Sequence, residues 1–385
     1  MAKIELIATA AFGLEAVVAN ELRWLGYNEL TVENGRVTFT ADESAICRAN
    51  LWLRTADRVL VKMGAFEARS FEELFEGTRA LPWPDWLPED ADFPVTGKSI
   101  DSQLFSVPDC QAIVKKAVVE KMKTRYGREW FDESGPRYTI EVALLKDVAT
   151  LTIDTSGAGL HKRGYRKLVS DAPLKETLAA AMILLSHWRP DRVLVDPFCG
   201  SGTIPIEAAL IGLNIAPGIK RDFAAEKWPN LSKDLWQEAW EEALALADYD
   251  QAKTLRIRGA DIDDDVLSLA RYHSRQAGVE DAVHFQQAPV AELQSRYKYG
   301  YVICNPPYGE RLGGLPAVER LYREMGRVFG ELDTWSFYVL SSHPEFERLY
   351  GRRADKKRKL YNGRIQCYYH QFFGPRPPQP EIASR

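Results

Sequence analysis

The sequence predicts an α/β protein: an open, mostly parallel sheet with covering helices in the C-terminal half, preceded by a smaller α+β region. From Pro173 onward, helix-like and strand-like stretches alternate, the rhythm of parallel strands joined by crossover helices. Before that point the chain opens strand, helix, strand and later runs two strands back to back, which is α+β material. The length of 385 residues exceeds one ordinary core, so two or three domains are expected.

The elements follow in order. Lys3-Ile4-Glu5-Leu6-Ile7 is too short, and too soon followed by Glu15 and Glu21, for a signal peptide or a membrane span. From Phe12, the residues Leu14, Val17, Val18, Leu22 and Leu25 fall on one helical face, and Gly26 stops the helix. Val32 to Thr40 alternates as a strand. Pro, Trp and acidic residues crowd Leu81 to Asp92, a long loop. Pro108-Asp109 starts a helix that turns Ile113, Val114, Ala117, Val118 and Met122 inward and leaves Lys116 and Lys123 two turns apart on a polar face. Tyr138–Leu145 and Val148–Ile153 read as a strand pair joined by Lys146-Asp147.

In the C-terminal half, strands are expected at Val193–Val195, Leu255–Ala260, Val283–Gln287, Tyr301–Cys304, Ser336–Ser342 and Ile365–Phe372. Helices are expected at Thr177–Trp188, Ile204–Ile211 and Val266–Ala277. An insertion at about 213–254 carries Trp228, Trp236 and Trp240, which suit a packed insert core. Residues 374–385, opening Gly374-Pro375-Arg376-Pro377-Pro378, read as a disordered tail.

A net charge of −4 excludes a uniformly basic nucleic-acid coat, so any such surface must be local. Lys98–Lys167 carries 13 Lys and Arg against 9 Asp and Glu, a basic stretch in an acidic chain. Within and just beyond its helix, Lys116, Lys123, Lys162, Arg163 and Arg166 are candidates for RNA phosphate contacts, with Tyr165 beside them; a solvated linker is the competing reading. Arg352-Arg353 and Lys356–Lys359 form the densest basic run, readable equally as a solvated loop before the last strand or as a phosphate clamp. The five cysteines form no C-x-x-C pair and no Cys/His cluster, so no disulfide framework and no metal site is expected, and a cytoplasmic location fits.

Two stretches carry chemistry. Asn305-Pro306-Pro307-Tyr308 follows a strand and cannot continue as helix; neither proline donates an N–H, so the carbonyls of Asn305 and Pro306 can remain free acceptors. An amine donating to the Asn305 side chain and the Pro306 carbonyl would have its lone pair turned out of conjugation, with Tyr308 stacked on its ring. Upstream, Asp196-Pro197-Phe198-Cys199-Gly200-Ser201-Gly202-Thr203 sits where a strand hands over to a helix, the ligand crevice of open α/β sheets. It matches neither phosphate-cradling glycine pattern. Asp196 suits a cationic amino group and Asp261, ending the next strand, suits ribose hydroxyls. An amine at one end and a ribose at the other describe S-adenosylmethionine. Cys199 and Cys304 flank both motifs; packing is their expected role, because amine chemistry leaves a thiolate no step.

In that order and on those strands, the motifs resemble the class I methyltransferases that modify amino groups, whose fold is a Rossmann-like, mostly parallel seven-stranded sheet. The resemblance implies that Asp196, Phe198 and the Gly200-Ser201-Gly202-Thr203 loop hold the methionine end, Asp261 the ribose, Ile262 the adenine, and Asn305 to Tyr308 the target. One position departs from the pattern: Ala288-Pro289 stands where an acid usually meets the adenine amino group, with Gln287 or a backbone carbonyl as substitutes. Gly13-Leu14-Glu15, the basic stretch and the His161–Arg166 exit look like a ferredoxin-like lead-in (1–65) and an RNA-binding THUMP domain (66–165) ahead of the methyltransferase domain (166–373). With Ala172-Pro173-Leu174-Lys175-Glu176-Thr177, this layout is similar to the large-subunit rRNA guanine-N2 methyltransferases, specifically the guanine-N2 half of the two-part enzymes, since no second methyltransferase follows Phe373. The resemblance implies 23S rRNA or a large-subunit precursor as partner, no metal and no membrane. Other amines (tRNA guanine, adenine N6, protein glutamine) and a non-catalytic RNA-binding factor remain the competing readings.

Overall fold

The structure, a computed structural model, describes residues 3–168, 174–307 and 314–378. The chain forms two compact units that are not contiguous in sequence. The first contains residues up to Ala10, Val18–Leu160 and Arg221–Ala243; the second contains Ala11–Val17, His161–Lys220 and the chain from Leu244 onward.

The first unit runs β1 (Ile4–Ala10), most of α1 (Glu15–Trp24), β2 (Leu30–Glu33), β3 (Arg36–Ala41), α2 (Ser44–Trp52), β4 (Ala56–Glu67), α3 (Phe71–Ala80), β5 (Val95–Ile100), α4 (Val107–Tyr126), β6 (Ile140–Leu145) and β7 (Val148–Asp154). Its sheet has the order β2-β3-β1-β4-β7-β6-β5, antiparallel except for the β5–β6 pair. Local chemistry sets the ends. Ser70 and Glu73 close a capping box on α3, and Gly127, at φ +65°, stops α4. Lys146 and Asp147 both take positive φ, the two-residue turn whose twist matches its strands. The stretch Val32–Thr40, expected as one strand, is instead a hairpin broken at Asn34-Gly35, with Gly35 at φ +77°.

The second unit runs α5 (Glu176–Ser186), β8 (Leu194–Asp196), α6 (Thr203–Gly212), the end of α7 (Lys233–Leu246), β9 (Ile257–Asp261), α8 (Asp264–Ala277), β10 (Val283–Gln287), β11 (Tyr301–Cys304), α9 (Leu315–Gly330), β12 (Ser336–Ser341), α10 (Phe346–Tyr350), β13 (Lys356–Asn362) and β14 (Ile365–Phe372). Its strand order is β10-β9-β8-β11-β12-β14-β13. The first five strands are parallel, β14 runs antiparallel to β12, and β13 runs antiparallel to β14. From β8 the chain builds outward to β10, then crosses back to β11 and builds the other way. The strand order therefore reverses between β8 and β11, which opens a crevice at their carboxyl ends. One helical layer, α5 and α6, is buried almost throughout; α9 is amphipathic and seats Val318, Tyr322, Met325 and Phe329 on the other face. The basic run Lys356–Lys359, read as a loop or a clamp, is the edge strand β13.

The tryptophan segment Arg221–Ala243 packs within the first unit. Trp228 stacks on Tyr138 at 4.4 Å and donates its indole N–H to the Arg137 carbonyl (3.0 Å). Trp236 stacks on Phe223 at 5.3 Å, and Arg48 grips Glu242 with two hydrogen bonds of 2.7 and 2.8 Å. These rings are core, as their burial requires.

Candidate active site

The loop after β8 is shaped by its glycines and stitched to β9. Gly200 and Gly202 take φ +51° and +86°; a Cβ on Gly202 would also meet Ala270 and Phe285 at 3.0 Å, so only glycine fits there. Cys199 N–H donates to the Ala260 carbonyl (2.9 Å), and Gly200 N–H to Asp261 Oδ2 (3.0 Å). Asp261 Oδ1 accepts from Asp263 N–H (3.2 Å), so this carboxylate holds the loop and would meet a ribose with its remaining lone pairs.

These elements wall a cavity of about 890 Å³ lined by Asp196, Phe198, Gly200, Ser201, Thr203, Asp261, Ile262, Asn305 and Pro307, so the Asp196–Thr203 loop, Asp261-Ile262 and the Asn305 turn meet in one cleft. Tyr308 lies outside the described residues. Asp196 is 1% exposed and accepts one hydrogen bond, from Phe198 N–H (3.1 Å). Burial, with a further push from Asp261, raises its carboxyl well above the usual range. A buried carboxylate so placed calls for a cation. Ile262, by contrast, is an apolar side chain left 63% exposed on the cavity wall, a surface for a flat ring.

Asn305 Oδ1 is buried and has no hydrogen-bond partner among the described residues. Among the described residues no backbone N–H donates to the Asn305 or Pro306 carbonyl either. The turn therefore presents unsatisfied acceptors, an arrangement that costs about 1–3 kcal/mol for each fully buried group until a donor arrives. Cys199 and Cys304 are buried thiols whose burial pushes their pKa values well up, so neither supplies a thiolate.

Two cationic candidates are not placed for RNA. Arg163 is 3% exposed and spends its guanidinium on Glu207 of α6 (3.3 Å), which also accepts from the Tyr165 hydroxyl (3.2 Å). Arg166 pairs with Glu176 (3.2 Å) and donates to the Thr203 hydroxyl, so it braces the cofactor loop. Lys123 is held between Glu120 (3.2 Å) and Glu129 (2.8 Å), whereas Lys116 and Lys162 are exposed. At the departing position, Ala288 N–H ties back to the Asp261 carbonyl (3.0 Å), and Gln287 donates to the Ile262 carbonyl (2.9 Å). Pro289 and Val290, not Gln287, line the cavity there. Sequence reasoning also missed Arg320, Leu321 and Glu324, which α9 brings to the wall; the i, i+3, i+4 apolar spacing of that helix was the available signal.

The cleft suits a nucleoside carrying a cationic amino group, and its sheet reverses order where such ligands sit: this is a class I, S-adenosylmethionine-dependent methyltransferase. Comparison with known proteins refines the class. Residues 163–371 match the family described as "RMKL-like, methyltransferase domain", and the chain belongs to it. Residues 5–60 match the "RlmL ferredoxin-like domain" and 68–154 the THUMP domain. The Bacillus subtilis (strain 168) protein named "Putative RNA methyltransferase YpsC" is 54% identical over 381 residues, 98% of each chain. A Listeria monocytogenes structure described as "a predicted N6-adenine-specific DNA methylase" superposes with a TM-score of 0.93 at 55% identity, covering 97% of both chains. The structure described as "SMU.472, a putative methyltransferase complexed with SAH" gives 0.93 at 48% identity, covering 98% of this chain and 100% of that one.

Proposed function

We propose that this chain methylates the exocyclic N2 of a guanine in large-subunit rRNA, with Asn305 and Pro306 gripping the amine. The observation that carries the reading is the buried, unpartnered Asn305 Oδ1 beside free carbonyls in the cofactor cavity. S-adenosylmethionine supplies a methyl group already activated on a sulfonium. The protein's own task is then positional: Asp196 takes the amino group, Asp261 and Ile262 the nucleoside, and the Asn305 turn holds the target nitrogen about 3 Å from the methyl with its lone pair aimed. The methylated amine, transiently cationic, is acidic and gives its proton to solvent.

RNA as substrate is supported by the THUMP domain and by the name of the Bacillus relative; guanine N2 in large-subunit rRNA is supported by the similarity to RlmL. The Listeria neighbour's description favours a second reading, adenine N6, since that amine has the same planar NH2. Mass spectrometry of nucleosides from a deletion strain separates the two. Loss of N2-methylguanosine from large-subunit rRNA, restored by the wild-type gene and not by Asn305→Ala, is the expected result; loss of N6-methyladenine instead transfers the assignment.

A further inference from the structure

The β13–β14 hairpin contributes nothing to the cofactor cavity, yet it contains the most basic stretch of the chain. Between Arg352 and Arg364 lie seven Lys and Arg residues and one acid, Asp355, in a protein of net charge −4. Three of the cations are committed: Arg352 to Asp355 (3.1 Å), Lys357 to Glu347 (2.7 Å) and Arg358 to the Gly13 carbonyl (3.3 Å). Arg353, Lys356, Lys359 and Arg364 are exposed and have no carboxylate partner among the described residues.

Strand register places two of these four at the active-site side of the sheet. Ser341↔Tyr368 is the last pair between β12 and β14, whereas β13 and β14 remain paired out to Asn362↔Ile365. The hairpin therefore overhangs β12 by three residues, about 10 Å. Cys304 pairs with Val339, so Asn305 and Pro306 emerge at that same edge, three strand spacings (about 14 Å) to one side. At one phosphate per roughly 3.4 Å of strand, that is a separation of about four nucleotides. Arg364 sits in the two-residue turn with Gly363 (φ +63°), and Lys359 lies level with the end of β12, its ammonium 5.5 Å from the Tyr361 ring. Arg353 and Lys356 lie toward the opposite edge.

Lysines on an edge strand also block unwanted strand pairing. That explains charge along β13, but not an arginine at the turn, nor Tyr361 and Tyr368 beside the ammonium groups. We propose that the tip of the β13–β14 hairpin is an RNA-docking arm, in which Lys359 and Arg364 take backbone phosphates about four nucleotides from the target. The inference rests on the RNA reading above.

The test compares Lys359→Ala/Arg364→Ala with Arg353→Ala/Lys356→Ala, two variants that remove the same charge from opposite ends of one strand. Binding of large-subunit rRNA transcribed in vitro is measured across salt concentrations, with S-adenosylhomocysteine affinity as the control for folding. The tip variant should bind RNA about 10-fold more weakly at 0.1 M salt and lower the slope of log K against log salt by about 1.4–1.8. The other variant should stay near wild type, and both should bind S-adenosylhomocysteine normally. Equal losses in the two variants, or an unchanged slope at the tip, overturn the arm while the RNA reading stands. Wild-type protein that binds no RNA overturns both.

Discussion

The hydroxyl groups of Tyr322 and Ser341 lie 3.1 Å apart behind the Asn305-Pro306-Pro307 turn. Ser341 Oγ already accepts from the His343 N–H (3.1 Å), which directs its own proton to Tyr322. Tyr322 in turn donates to the Pro307 carbonyl at 3.4 Å. The chain of donors occupies the carbonyl of Pro307 and leaves those of Asn305 and Pro306 for a target. Such chains polarise one another, so each bond fixes the next.

Tyr322→Phe should therefore lower kcat for methyl transfer about 10-fold while S-adenosylhomocysteine affinity stays within two-fold. Ser341→Ala should do the same through the same chain, and the double variant should be no worse than either single one. Full additivity of the two in steady-state kinetics would show that they do not act as one unit.

Asn305→Ala removes the orphan acceptor without touching the cofactor end of the cavity. Calorimetry should find S-adenosylhomocysteine affinity nearly unchanged, and single-turnover transfer at least 100-fold slower. Activity surviving within a few-fold would mean that the amine is aimed by something else.

Asp196 sets cofactor binding against stability. Its carboxyl value is raised by burial. Well below the unfolded value of about 3.9 the group is protonated in folded and unfolded chains alike. As pH rises from there to the elevated native value, the unfolded chain releases a proton that the folded chain keeps, and stability is lost. Asp196→Asn should thus raise the Tm of the ligand-free protein by about 3 °C at pH 8 and leave it unchanged at about pH 3. It should also weaken S-adenosylhomocysteine about 30-fold, the loss of one charge-assisted bond. A lower Tm at pH 8 in scanning calorimetry would contradict this account.

Arg163→Met strands Glu207 in the core, where its side chain is 0% exposed. Denaturant unfolding should show a loss of about 3–5 kcal/mol. At temperatures where the variant stays folded, the salt dependence of RNA binding should match wild type; a reduced slope would return Arg163 to the RNA surface.

Much of the second unit was readable because its punctuation is strong. Tyr301–Cys304, Val283–Gln287 and Ile365–Phe372 are strands over the expected residues, and the loop from Asp196 to Thr203 announces a ligand by its glycines and its acid. The hairpin at Asn34-Gly35 was hidden because β2 is only four residues long and buries no side chain, so nothing but the Asn-Gly pair marked the reversal. β13 was illegible for the opposite reason: an edge strand made of cations shows one fully buried side chain, Leu360, and no alternation. Arg163 and Arg166 looked like solvent-facing cations because charge does not report burial. The counter-signal was Glu207, the only charged residue in the buried helix Thr203–Gly212, which needs a cation brought to it.

The return of Arg221–Ala243 to the first unit also has a consequence for biosynthesis. A ribosome that has released Leu160 has delivered both sheet edges of that unit but not Trp228, the ring stacked on Tyr138. Only after the segment His161–Lys220 of the second unit has emerged, several seconds later at ordinary elongation rates, can the first unit close its core. The first unit therefore closes only when Arg221–Ala243 arrives, and a truncation after Leu160 would release a folding intermediate with an open apolar face.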